Sequence, residues 1–185
     1  MASTQRSASA TRSRILAAAD EQFYAAGIRA TSADRIIEQV GITKVTFYRH
    51  FRNKSDLVVA YLERQADAER EWLEGLAREK DPFGAIAAGI GEASCRPGFR
   101  GCAFINAAAE FPDAEDPVRR VVDDHRGWMQ GLFAELASRS GVADPAAAAR
   151  QLMMLRDGAM VTGYLGDAVE LATTLDAAFA SVISR

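Results

Sequence analysis

Apolar residues recur every three or four positions through most of this chain, the spacing of helices that bury one face. Ile15, Ala19 and Phe23 repeat every four residues with Leu16 beside them, so a first helix is expected from Thr11 to a stop at Gly27. Thr31 and Ser32 offer a second start, with Asp34 near the positive helix end, and Ile36, Ile37 and Val40 form its apolar side before Gly41. A third helix is expected from Thr43 to about Phe51, with Val45, Phe47 and Phe51 as apolar anchors. Asn53 to Asp56 is a fresh capping signal for a fourth helix, through Leu57, Tyr61, Ala68 and Trp72 to about Arg78.

Beyond Asp81-Pro82, Phe83, Ile86 and Ile90 share a helical face that Arg96-Pro97-Gly98 interrupts. Phe99 to Phe111 holds a run of small residues, and Pro112 and Pro117 bracket an acidic loop. Val118 to Ser138 is amphipathic, Asp144-Pro145 opens a helix to about Leu165, and a last helix runs from Asp167 or Ala168 to Ile183. No alternating run is flanked by hairpin turns. The pattern predicts an all-α protein of about nine helices, given ordinary helix and loop lengths.

Composition changes this picture little: 185 residues, 49% hydrophobic and 25% charged, are enough for one sizeable domain or two small ones. Met1 to Ala10 is polar and small, reads as a disordered arm and lacks a signal-peptide core. No apolar run is long enough to span a bilayer, and two cysteines, Cys95 and Cys102, do not make a disulfide framework. A cytoplasmic protein without a membrane partner is expected. Charge is more informative in its distribution than in its total of −3: residues 1–56 carry +4 and the remainder −7. A basic first third on an acidic body suits phosphate contact by one part only.

The third helix carries Lys44, Thr46, Tyr48, Arg49 and His50 behind a tight glycine turn, which is the form of a helix-turn-helix reading element. Lys44 suits guanine O6/N7 or a phosphate, Thr46 a base edge or phosphate, and the Tyr48 hydroxyl a phosphate oxygen. Thr43 caps this helix, while Thr31 and Ser32 stand with the amides of the second helix's first turn, placed for phosphate. Arg49 and His50 suit phosphate too, although His50 can equally pack against the first helix. Arg14 and Arg29 read as generic surface charge.

Ile15-Leu16-Ala17-Ala18-Ala19, Phe23, Gly27, Thr31-Ser32, Ile36, Val40 to Thr43, Thr46 to Phe51, Lys54 and Leu57 resemble the N-terminal domain of TetR/AcrR-family transcriptional regulators over residues 11–60. Arg100 to Phe111 is similar to one recurring C-terminal type of that family. The resemblance implies a helix-turn-helix domain at 11–56, a connecting helix at 57–80, and a ligand-binding and dimerisation domain at 81–185. It also makes Lys54 a phosphate contact. Two positions depart from the family pattern. Ile37 stands where alanine is usual, and Val45 stands where glycine is frequent, so that Val45 can meet a thymine methyl.

In the C-terminal half, Phe83, Ile86, Ile90, Phe104, Ile105, Asn106, His125, Trp128, Met129, Met153, Met154 and Asp157 are candidates to line a small-molecule site, apolar with a few polar groups. The same stripes are also what a plain core looks like. Small residues let the last two long helices approach closely, with Leu152, Leu155, Val161, Tyr164, Leu165, Leu171, Leu175 and Phe179 as apolar surface. In the resembling family these helices form a four-helix dimer interface, which implies a homodimer on a pseudo-palindromic operator.

The resulting expectation is a DNA-binding repressor released from its double-stranded operator by a small apolar or amphipathic effector, with no cofactor and no catalysis. The alternatives are a helical adaptor or a small-molecule enzyme. For the latter Asp157, Glu110, His125 and Cys102 are candidate polar groups, but no phosphate-loop or triad motif organises them. Asp123, Asp124 and His125 on one helix make a poor metal set with only two histidines in the chain, and Cys102 reads as a small buried hydrophobe.

Overall fold

The computed structural model describes residues 2–166 and 168–184, with side chains from residue 9 onward. Among these residues the chain forms nine α-helices and no strand: α1 (Ala2–Ala26), α2 (Ala33–Val40), α3 (Lys44–His50), α4 (Lys54–Leu76), α5 (Pro82–Ser94), α6 (Ala103–Glu110), α7 (Pro117–Arg139), α8 (Pro145–Leu165) and α9 (Leu171–Ile183).

Two boundaries differ from the sequence reading. Thr11 lies inside α1 and does not cap it, because nothing in the preceding residues breaks a helix and the Ser13 hydroxyl donates to the Ser9 carbonyl at 3.1 Å. The first eight residues of the expected arm lie outside those described with side chains. α9 begins at Leu171, after the left-handed Gly166 that ends α8; Asp167 lies outside the described residues.

The chain divides into two compact units. The first holds residues up to Gln65 together with Ala103–Val122, and the second holds Ala66–Cys102 and Asp123–Arg185. α6 therefore belongs with the helix-turn-helix, although the sequence reading placed it in a domain spanning 81–185. α4 and α7 each contribute to both units.

In the first unit Ile15, Ala19 and Phe23 of α1, Ile36 of α2, Phe47 of α3 and Leu57 of α4 are fully or nearly fully buried. Phe23 meets Tyr61 edge-on at 5.5 Å, and Phe47 lies 6.1 Å from Phe51. Phe47 is the only fully enclosed side chain of α3, and removing so large a group from a core costs about 3–5 kcal/mol. Its seven-residue helix is too short to stand by itself, so this anchor fixes which way the other side chains of α3 face.

In the second unit, Phe179 of α9 packs edge-on against Phe83 of α5 at 6.1 Å and Phe133 of α7 at 5.9 Å. Leu152 and Ala149 of α8 complete this centre. A close approach between α4 and α5 depends on Gly89, where a Cβ would stand 2.6 Å from Cζ2 of Trp72.

Candidate nucleic-acid interface and interior cavity

The α2–turn–α3 element is built from local hydrogen bonds. Ser32 is extended (φ −83, ψ 155) and its hydroxyl accepts the Arg35 N–H at 3.2 Å, capping α2. At the other end Gly41 takes a left-handed conformation, φ 69 and ψ 42. The Ile42 N–H then reaches the Ile37 carbonyl at 3.3 Å and the Gly41 N–H reaches Glu38 at 3.1 Å, the paired bonds of a Schellman ending. Thr43 caps α3 in the same way as Ser32: its Oγ1 accepts the Thr46 N–H at 3.2 Å and lies 3.0 Å from the Thr46 hydroxyl. Caps of this kind contribute about 1 kcal/mol each. Arg14 is not generic surface charge, because its guanidinium donates to the Val40 carbonyl at the end of α2.

With Phe47 turned inward, α3 presents Lys44, Val45, Tyr48 and Arg49 outward, Val45 at 71% and Tyr48 at 48% exposure. Thr46 and His50 are half-buried. Lys44 is tied to α2 by an ion pair with Asp34 at 2.8 Å, and that hydrogen bond and charge raise its pKa. Ser32 is exposed at the start of α2. Lys54 opens α4 half-buried, its pKa lowered by burial, which Glu110 partly opposes.

Thr31 departs from the expectation of a phosphate contact. It is fully buried, and its hydroxyl is within bonding distance of the Gly27 carbonyl at 2.9 Å and the Gln22 carbonyl at 3.2 Å. The turn between α1 and α2 consumes that donor. The same turn is held by Glu110 at the end of α6, whose two carboxylate oxygens accept the N–H of Ile28 at 2.9 Å and of Arg29 at 2.6 Å. Nothing in the sequence reading linked Glu110 to this loop.

The second unit contains a cavity of about 60 Å³. Its apolar walls include Trp72 and Leu73 of α4, Ile86 and Ile90 of α5, and Met129 and Phe133 of α7; Ala93 and Met160 complete them. Of the residues expected there, only Ile86, Ile90 and Met129 line it. Phe83 and Met153 are core, Met154 is 67% exposed, and Phe104, Ile105 and Asn106 lie on α6 in the other unit.

Glu69 and Arg156 form the polar wall of this cavity, and the sequence reading missed both. Arg156 donates to Glu69 at 2.7 Å and to Asp157 at 3.2 Å, and Arg126 donates to Asp157 at 2.6 Å. His125 lies 3.0 Å from Glu69 through Nε2 and stacks on Trp128, so His125, Trp128 and Asp157 act behind the wall without lining it. Burial works against the Glu69 charge, but His125 and Arg156 outweigh it and hold the carboxyl below its ordinary pKa. Burial likewise opposes the Arg156 charge, and Cys102, Glu69 and Asp157 more than offset it, so its pKa rises.

Of the expected interface residues, Leu152, Leu171, Leu175 and Phe179 are buried in the core of their own unit. Those positions of the stripes face inward because α5, α7, α8 and α9 share one centre. Leu155 is partly buried, whereas Val161, Tyr164 and Leu165 are exposed, Leu165 at 78%, together with Met154.

Comparison with known proteins bears on both the element and the whole fold. The family model described as bacterial regulatory proteins, tetR family, matches residues 15–61, which span the stretch from α1 into α4. The regulator TtgR of Pseudomonas putida is 37% identical over 89 residues, 45% of this chain and 40% of TtgR. The transcriptional activator FasR of Mycolicibacterium smegmatis is 38% identical over 56 residues, 30% of this chain and 26% of FasR. The matched stretches thus span less than half the length of these two curated relatives. The solved structure of SCO4454, a TetR-family transcriptional regulator from Streptomyces coelicolor, superposes with a TM-score of 0.88 and 40% identity over 95% of each chain. Likeness over nearly the full length, in sequence as well as fold, extends the assignment past the helix-turn-helix: the chain is a DNA-binding transcriptional regulator of the TetR family.

Proposed function

We propose that this regulator is a homodimeric repressor that leaves a pseudo-palindromic operator when a small molecule fills the cavity of its second unit. The observation that carries the reading is the capped α2–turn–α3 element with Lys44, Val45, Tyr48 and Arg49 on one outward face. A helix presented this way enters a major groove with its N-terminal residues against base edges. Lys44, Val45 and Thr46 then read bases, with Thr43 as the cap that positions them. Ser32, Tyr48, Arg49, His50 and Lys54 hold phosphates on either side.

Met154, Val161, Tyr164 and Leu165 form an exposed apolar strip on α8 that supports pairing with a second copy. Two-fold pairing sets two α3 helices at one separation, which is why the operator is a pseudo-palindrome. Repression is the simpler sign of regulation, since occupying a promoter is enough to block it, whereas activation needs a further docking surface. The effector acts by binding one conformation of the dimer better than the other, and release measures that difference. No catalytic step belongs to this proposal, and the site of action is the cytoplasm, where the operator is.

Anisotropy of labelled DNA from the region upstream of the protein's own gene tests the reading. Tight binding that weakens by about three or more orders of magnitude between 50 and 200 mM salt is expected for about six phosphate contacts or more. Equal affinity for scrambled DNA of the same length contradicts it.

A further inference from the structure

We infer that the cavity of the second unit takes an uncharged, hydrocarbon-rich molecule no larger than about one six-membered ring, because the charges on its polar wall already cancel. This rests on reading the cavity as the effector site and narrows that reading to a chemical class.

Two carboxylates, Glu69 and Asp157, face two guanidiniums, Arg156 and Arg126, in one bonded chain. Each Glu69 oxygen has a partner, Arg156 on Oε1 and His125 on Oε2. A carboxylate only accepts, so the imidazole donates through Nε2. The Cys102 sulfur also bonds Arg156, so the guanidinium is already partnered on this side as well. An anionic ligand would have to displace Glu69 from Arg156, and a cationic one would have to displace Arg156 from Glu69. Either exchange leaves a buried charge without its partner, which is among the costliest changes a protein interior can undergo.

The remaining lining is hydrocarbon, thioether and aromatic ring, which rewards loss of apolar surface from water and nothing else. Size sets the second limit. An apolar cavity of about 150 Å³ holds benzene, whereas this one measures about 60 Å³ at rest. Met129 and Met160 supply the difference, since unbranched thioether chains change rotamer at low cost. The Trp72 ring, set against Gly89, borders the same space and reports on its filling.

The chain has two tryptophans, so Trp128→Phe leaves Trp72 as the sole reporter. In that background, without DNA and at neutral pH, toluene, benzoate and benzylammonium are titrated while Trp72 emission and the melting temperature are followed. Toluene is expected to give a saturable response and a raised Tm, with both ions at least about tenfold weaker. Ala93→Leu, which fills the cavity, should abolish the toluene response while keeping a cooperative melt. Glu69→Gln uncovers Arg156 and should strengthen benzoate about tenfold or more. An ion that binds as tightly as toluene, no saturable response from any of the three, or a toluene response that survives Ala93→Leu overturns the inference. Since the readout contains no DNA, a failure of operator release counts against the proposed function and leaves this result standing.

Discussion

Glu110 accepts the backbone N–H of Arg29 at 2.6 Å, joining the end of α6 to the loop between α1 and α2. Its second oxygen takes the N–H of Ile28 at 2.9 Å, so one carboxylate satisfies two consecutive amides. Gly27, with φ +95, precedes them, and a Cβ there would stand 3.3 Å from the same carboxylate. The loop sets how α2, and through Gly41 also α3, leaves α1. α6 is thereby part of what positions the reading helix.

Removing that acceptor strands two amides. Glu110→Ala is expected to lower stability by about 1–2 kcal/mol, the lower part of the range for hydrogen bonds to a charged group because the site is only partly buried. Glu110→Gln keeps a single acceptor oxygen and should lose roughly half as much. Equilibrium denaturation of the three proteins checks this, and an Ala variant as stable as the parent would show that the contact carries no weight.

Glu69 makes stability depend on pH in a defined direction. Its carboxyl is held below its ordinary value of 4.5, so its contribution is complete above that pH and is lost as pH falls through the depressed folded value. Glu69→Gln should cost about 3 kcal/mol at neutral pH, because it leaves Arg156 short of a charged partner. The gap to the parent protein should start to narrow as pH falls below 4.5 and close as the folded protein's depressed carboxyl takes its proton. Thermal melts across pH 3 to 7 give the answer, and a gap that stays constant would place the titration elsewhere.

These two carboxylates also mark how far the sequence could be followed. Ser32, Gly41 and Thr43 were legible because caps act over three or four residues, and the apolar spacing that fixed α2 and α3 is equally local. Thr31 misled because a capping-type residue beside a helix start reads the same whether its hydroxyl faces solvent or a neighbouring carbonyl. Glu110 was opaque, since its partners lie 81 and 82 residues away. The cavity did leave a trace. Leu62, Ala66, Glu69 and Leu73 follow one helical stripe, as do Leu152, Arg156, Ala159 and Gly163, and in each a charge interrupts the buried side. A lone charge on a stripe signals burial with a partner, and identifying that partner takes the fold.

Val45 is a 71%-exposed apolar side chain on a face otherwise able to donate hydrogen bonds. If it meets a thymine methyl, replacing that thymine by deoxyuridine should weaken operator binding about fourfold, the worth of one buried methyl at about 0.8 kcal/mol. The same replacement should have no effect on Val45→Ala. A deoxyuridine scan across the operator, run on both proteins, tests this. A penalty that persists in the variant would assign the methyl to another residue.

Leu165, exposed at 78%, is the most open leucine of α8 and lies outside the core of its unit. Leu165→Glu is expected to yield a folded monomer, since it places a charge on the proposed pairing strip, at its C-terminal end, without touching Leu152 or Phe179. Sedimentation velocity distinguishes the masses. A dimer that survives both this change and Met154→Glu would move the interface to another face.

The central claim is that two copies of α3, set by a two-fold dimer, read one short sequence. Sequencing the fragments that the purified full-length protein retains from a random double-stranded library tests it most directly. One enriched motif with inverted-repeat symmetry, its half-sites one helical turn or a whole multiple of it apart, is the predicted result. Retained fragments with no shared motif, or a single enriched half-site without its inverted partner, would contradict it.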